Sequence, residues 1–139
     1  MTVSGNDIKR LIPQREPFLM IEKCEATEPS VAHTALSVTA DNYFILPDAT
    51  MAETGLLEHI AQSAAALVGM QALQADSKPR IGLIGEVKHY TCHRRPTVGE
   101  RVETTIRFGL SFGNVTLAEG ECRVGQETIA QAQLKIFMQ

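Results

Sequence analysis

The sequence predicts an α+β fold in which a long antiparallel β-sheet wraps around one central α-helix, and three observations lead there. Between Met51 and Gln74 there is no proline, and Leu57, Ile60, Ala61, Ala64, Ala65, Val68 and Leu73 recur at helical spacing. Ahead of this run lie two β-like segments, and behind it come four long ones separated by turn residues. One buried helix between two groups of strands has an economical solution. One sheet face covers the helix while the other meets solvent or a partner.

Taken in order, residues 7 to 12 read as a short helical turn capped by Asn6 or Asp7 and stopped by Pro13. A strand is expected from Phe18 to about Ala26, ended by the Pro29-Ser30 turn. Val31 to Thr39 alternates as a second strand, with Val31, His33, Ala35, Ser37 and Thr39 on one face and Ala32, Thr34, Leu36 and Val38 on the other. Asp41 to Thr50, with Pro47 and Asp48, has no period and reads as a loop or a broken strand. Thr50 followed by Glu53 fits a capping box for a helix starting at Met51. Leu56, Ala66 and Leu67 extend the apolar character nearly all round that helix, so it is enclosed, and its alanines permit close approach. The remaining strands are expected at Arg80–Thr91, Glu100–Phe112, Asn114–Val124 and Thr128–Met138. Arg94 to Gly99, Phe112-Gly113-Asn114 and Gly125-Gln126 divide them.

The 139 residues suit a single domain, 1–139, large enough for one real core. With 44% hydrophobic and 21% charged residues the chain is neither disordered nor fibrous. A net charge of −3 gives no global basic excess, and 5% aromatic residues leave few platforms for stacked bases, so no nucleic-acid partner is expected. Cys24, Cys92 and Cys122 are too few and too widely spaced for a disulfide framework or a paired metal site; reduced thiols in a cytoplasm are the simplest reading. Met1 to Arg10 has no apolar signal region, and no membrane span is expected. Glycine-rich phosphate loops, G-x-S-x-G elbows and H-E-x-x-H pairs are missing, and neither cofactor nor metal is expected.

Glu58 is out of place in an apolar helix. It lies one turn before Gln62, so the two share a stripe and can meet each other or a ligand. Either it faces solvent near the positive end of the helix dipole, or it is partly desolvated and works as an acid, a base or a hydrogen-bond holder. His59, about 100° round the helix, cannot share its pocket and reads as structural. His33 reads as a satisfied or exposed strand histidine. His89 and His93, with Lys88, Arg94 and Arg95, form either a solvated strand end or a docking patch for an anionic carrier or a phosphate-bearing arm.

Ile12 to Glu22, IPQREPFLMIE, is similar to the LPHRYPFLLVD opening of the 3-hydroxyacyl-(acyl carrier protein) dehydratases of the hotdog fold. Met51 to Gln62, MAETGLLEHIAQ, resembles their MPGVLxxEAMAQ helix. Val87 to Tyr90 with Arg94 to Glu100 resembles their VKFRRPVVPGD strand and turn. Gly82 to Gly85 and the long KHYTCHRRP spacing look more like the dehydratase-like subunits of aryl-polyene and flexirubin pathways than the housekeeping fatty-acid enzyme.

This resemblance implies dimers joined sheet edge to sheet edge, homomeric or with another hotdog subunit, and active sites at the dimer interface. In the family a GHFP histidine takes the proton α to the thioester, and a helix glutamate from the other subunit helps expel the 3-hydroxyl as water. Glu58 matches that glutamate and Gln62 the glutamine one turn later. The histidine does not carry over: Tyr43 or Phe44 stands at its place, Ala52-Glu53 replaces the helix-start Pro-Gly, and Gln14 replaces the histidine of the opening motif. Neither ring is a base at neutral pH. The implied activity is dehydration of 3-hydroxyacyl chains on acyl carrier protein, with Glu58 catalytic, Tyr43, Phe44 and Gln62 binding substrate, and a His-bearing partner completing the site. A hotdog thioesterase and a silent acyl-binding subunit are the alternatives.

Overall fold

The computed structural model describes residues 1–78 and 82–139. Its elements are β1 (Thr2–Ser4), a 3-10 helix (Gly5–Arg10), β2 (Lys23–Glu28), β3 (Val31–Ser37), α1 (Glu53–Gln74), β4 (Gly82–Cys92), β5 (Arg101–Phe112), β6 (Val115–Val124) and β7 (Glu127–Met138). All seven strands join one antiparallel sheet in the order β1-β2-β3-β5-β6-β7-β4. The chain leaves β3, runs through α1, builds the far edge with β4 and returns to place β5 against β3. The expected wrapped-helix architecture is present.

The β5–β6 and β6–β7 hairpins turn in two residues, Gly113-Asn114 and Gly125-Gln126, with φ of 60° at each glycine and none positive at the residue that follows. That suits a type II′ turn, whose first position needs glycine. Inward residues of the sheet, among them Ile106, Cys122, Ala130 and Ile136, meet Leu56, Ile60, Leu67 and Met70 of α1 in one core. Along α1 only a narrow stripe including Leu57, Glu58, Ala61 and Ala65 is half-buried, so the helix is enclosed on its other sides.

Several boundaries differ from the expectation, each for a local reason. Thr50 does not cap α1: the helix starts at Glu53 after Ala52, which makes no side-chain cap bond. The Thr50 hydroxyl is committed to the loop, donating to Asp48 Oδ1 at 2.6 Å and accepting from Arg95 Nε at 3.0 Å. The first helix is a 3-10 turn starting at Gly5, and neither Asn6 nor Asp7 caps it. Phe18 to Ile21 is not a strand but an extended strap, because helix side chains take the backbone groups a neighbouring strand would have used. The expected start of β4 at Arg80 lies outside the described residues.

β4 pairs only with β7 among the described residues and forms one end of the sheet. It bulges at Gly85 and at His89-Tyr90, where His89 has φ of 51°. Ile84 and Val87 share a sheet face with the buried Ile136 and Leu134 of β7, yet are 39% and 41% exposed. The inner face of this edge is left uncovered.

Candidate active site

α1 presents Glu58 to a trough between the helix, the start of β4 and the segment after the 3-10 helix. Near Glu58 it is a groove of about 210 Å³ walled by Ala61, Ala65, Val68, Leu83 and Ile84. Alanines keep this wall shallow, which is the second use of the small residues that allow close helix packing. A larger groove of about 550 Å³ abuts it at Gln14, Ala65, Gly82 and Leu83 and reaches Lys9, Arg10, Arg15 and Lys78. The trough is therefore apolar beside the carboxylate and basic at its far end.

Glu58 is half-buried, and its Oε1 accepts from Gln62 Nε2 at 2.9 Å. Gln62 is buried and does more than share a stripe with Glu58. Its Nε2 also donates to Phe18 O at 2.6 Å, and its Oε1 accepts from Met20 N–H at 2.6 Å. The amide thus ties the strap to the helix while holding Glu58. Oε2 of Glu58 has no partner among the described residues.

His59 is fully buried, with Nδ1 2.7 Å from Met20 O and Nε2 2.7 Å from Thr104 Oγ1. Burial pushes its pKa down to about 4, so the ring is neutral. Ser63 donates to His59 O at 2.7 Å, so the Thr34 hydroxyl at 2.7 Å donates to Ser63. These contacts make a polar seam through the core. No histidine lines the Glu58 groove among the described residues.

Tyr43 and Phe44 do not line the trough either. Tyr43 is 60% exposed and stands 4.8 Å from the Phe18 ring and 5.3 Å from Phe44, measured between centroids. Phe44 packs on Gly55 so closely that a Cβ there would collide with it, and Phe44 O accepts from Ala52 N–H. The two aromatics shape the approach to α1 without touching the groove of their own chain.

Within the basic stretch, Arg94 and Arg95 are already paired with carboxylates. Arg94 is bidentate to Glu100, at 2.8 and 2.9 Å, and also meets Glu127, while Arg95 holds Asp48 at 3.0 Å. Arg94 holds the Glu100 carboxyl below the usual range, and the Thr50 hydroxyl and amide, with Arg95, do the same for Asp48. Both arginines brace the turn before β5. His33 bonds Thr105 Oγ1 at 3.1 Å on the outer sheet face, and His89 lines a separate outer depression of about 350 Å³ with Arg107 and Glu119, away from α1.

The sequence marks Glu58 and Gln62 but not the strap. Nor does it mark Gln14 as a trough residue, whose Oε1 is buried without a hydrogen-bond partner among the described residues. That signal is three-dimensional, since it depends on which neighbours close over the amide.

A family model described as ApeP dehydratase, of the ApeP-like group, matches residues 6–139. The chain belongs to the ApeP-like dehydratase family. This ApeP-like chain is 26% identical to the 3-hydroxyacyl-(acyl-carrier-protein) dehydratase FabZ of Clostridium kluyveri, with 99% of the chain and 96% of that protein covered. Identity to FabZ of Natranaerobius thermophilus is 28%, over 93% of the chain and 92% of the relative. Among solved structures it is similar to the dehydratase heterocomplex ApeI:P from Xenorhabdus doucetiae, with a TM-score of 0.87, 16% identity and coverage of 95% and 90%. A hypothetical thioesterase from Streptococcus pneumoniae, solved with coenzyme A, superimposes at a TM-score of 0.68 with 8% identity, covering 84% of each chain. These structural likenesses establish the hotdog fold. No described helix is long and apolar enough to cross a membrane.

Proposed function

We propose that this chain is a subunit of a 3-hydroxyacyl-(acyl carrier protein) dehydratase that supplies the acid, Glu58, while a second hotdog subunit supplies the base. The carrying observation is a carboxylate with one oxygen held by Gln62 and the other without a partner among the described residues, at an apolar trough that none of the described histidines lines. A base on the partner removes the proton from C2. The electron pair forms the C2–C3 double bond, and the 3-hydroxyl leaves as water with the proton of Glu58. Backbone N–H groups of Glu53 and Thr54, which have no acceptor among the described residues, can hold the thioester oxygen as charge develops.

Assembly follows from the open β4 edge and its uncovered Ile84 and Val87, which suit addition of a second sheet. Tyr43, exposed at the position of the family histidine, faces outward to help shape the partner's acyl site. The basic end of the trough suits the phosphate of the pantetheine arm and an acidic carrier protein.

The test mixes the chain with a His-bearing hotdog subunit and a 3-hydroxyacyl carrier protein and follows the mass loss of one water. Turnover by the mixture, by neither protein alone, and its loss in Glu58→Gln is the expected result. Wild-type turnover in Glu58→Gln overturns the shared site. Release of free thiol in place of dehydration points to a thioesterase, and binding without turnover to a silent acyl-binding subunit.

A further inference from the structure

His59 has no place in the reaction just described, yet its hydrogen bonds have a definite polarity. Met20 O can only accept, so Nδ1 carries the ring proton and donates to it. In the neutral ring Nε2 then accepts, and the donor is the Thr104 hydroxyl. Thr104 Oγ1 also stands 3.2 Å from Cys122 Sγ on β6. The directed bonds therefore run from Thr104 on β5 through His59 on α1 to Met20 of the strap.

At the strap, both backbone groups of Met20 are taken by α1, the carbonyl by His59 and the N–H by Gln62 Oε1. An amide whose oxygen faces Met20 N–H must turn its nitrogen toward Phe18 O and Glu58 Oε1. A flipped amide would set its oxygen against two acceptors, so a fixed strap permits one orientation only. With Gln62 donating to Oε1, the proton of neutral Glu58 resides on Oε2.

We propose that His59 is a positioning residue of the Glu58 site: by holding Met20 O, with its tautomer set by Thr104, it locks the Gln62 amide and leaves Oε2 of Glu58 as the proton-donating oxygen. The proposal rests on the dehydratase reading for its catalytic consequence, but the lock is a property of this chain alone. An apolar residue at 59 frees the carbonyl and lets the strap slide. An asparagine at 59 offers a side-chain N–H close to where Nδ1–H stands.

Two measurements separate the lock from the reaction. In the ¹⁵N-labelled chain, His59 should show the Nδ1–H tautomer, and the Gln62 side-chain N–H signals should exchange slowly with solvent. His59→Leu and Thr104→Val should speed that exchange by about tenfold or more, and His59→Asn should restore it. In the active complex, His59→Leu should lower kcat by roughly ten- to a hundredfold with little change in KM, His59→Asn should recover most of it, and Thr104→Val should fall between. An Nε2–H tautomer, Gln62 exchange unchanged in Thr104→Val, or wild-type kcat in His59→Leu overturns the proposal. A wild-type complex that does not turn over defeats the dehydratase reading instead, and the exchange data still decide the lock. If His59→Leu does not fold, His59→Asn and Thr104→Val carry both measurements.

Discussion

Gln62 concentrates three hydrogen bonds in one buried amide, so it should matter to folding as well as to Glu58. Gln62→Leu strands Met20 N–H and Phe18 O, and a loss of roughly 2 kcal/mol or more is expected in urea unfolding with an unchanged m-value. His59 makes stability depend on pH in a predictable direction. Its folded pKa, about 4, lies below the unfolded value near 6.5, so the unfolded chain binds the extra proton between them. The contribution is complete above about pH 6.5 and declines as pH falls toward 4, by at most about 1.4 kcal/mol per unit. Urea midpoints at pH 7.5 and 5.0 should differ more in the wild type than in His59→Asn. Glu58 and Gln62 were legible in the sequence because two polar groups one turn apart stand out against an apolar helix. His59 was legible only as structural, since the strap carbonyl and Thr104 that define its role lie 39 and 45 residues away.

Among the elements, the period of α1 places its N-terminus within two residues, and the capping pattern misleads there for a physical reason. A Thr-x-x-Glu pattern assumes a threonine hydroxyl free to turn back on the helix, whereas Asp48 and Arg95 had claimed this one. The long strands were plain from alternation and turn glycines, and the strap was not, because four apolar residues in a row cannot say whether a strand or a helix will satisfy their backbone. At the start of α1, Gly55 is a packing requirement. Gly55→Ala improves helix propensity by up to about 1 kcal/mol, yet the collision with Phe44 should leave a net loss of about 1–2 kcal/mol. A lowered thermal midpoint checks this, and Phe44→Ala in the same chain should relieve part of the clash.

For the molecule as a whole, the sheet begins with the short strand β1 and ends on β4, eleven residues long and exposed along most of its length. A long open edge with apolar side chains beneath it is costly to leave in water. Val87→Lys, placed on that inner face, should weaken partner binding at least tenfold, about 1.4 kcal/mol, while the isolated chain keeps its circular dichroism. Sedimentation of the mixture reads the first effect; tight binding by Val87→Lys would remove β4 from the interface. In the proposed assembly, the open edge also ties the amount of this protein to the supply of another. A partner that binds only the folded chain adds about 2.7 kcal/mol of apparent stability at a hundred times its Kd. In that assembly, chains made in excess forgo the protection and are the ones proteases reach first, so the β4 edge would hold two subunits near equal dose without a regulator.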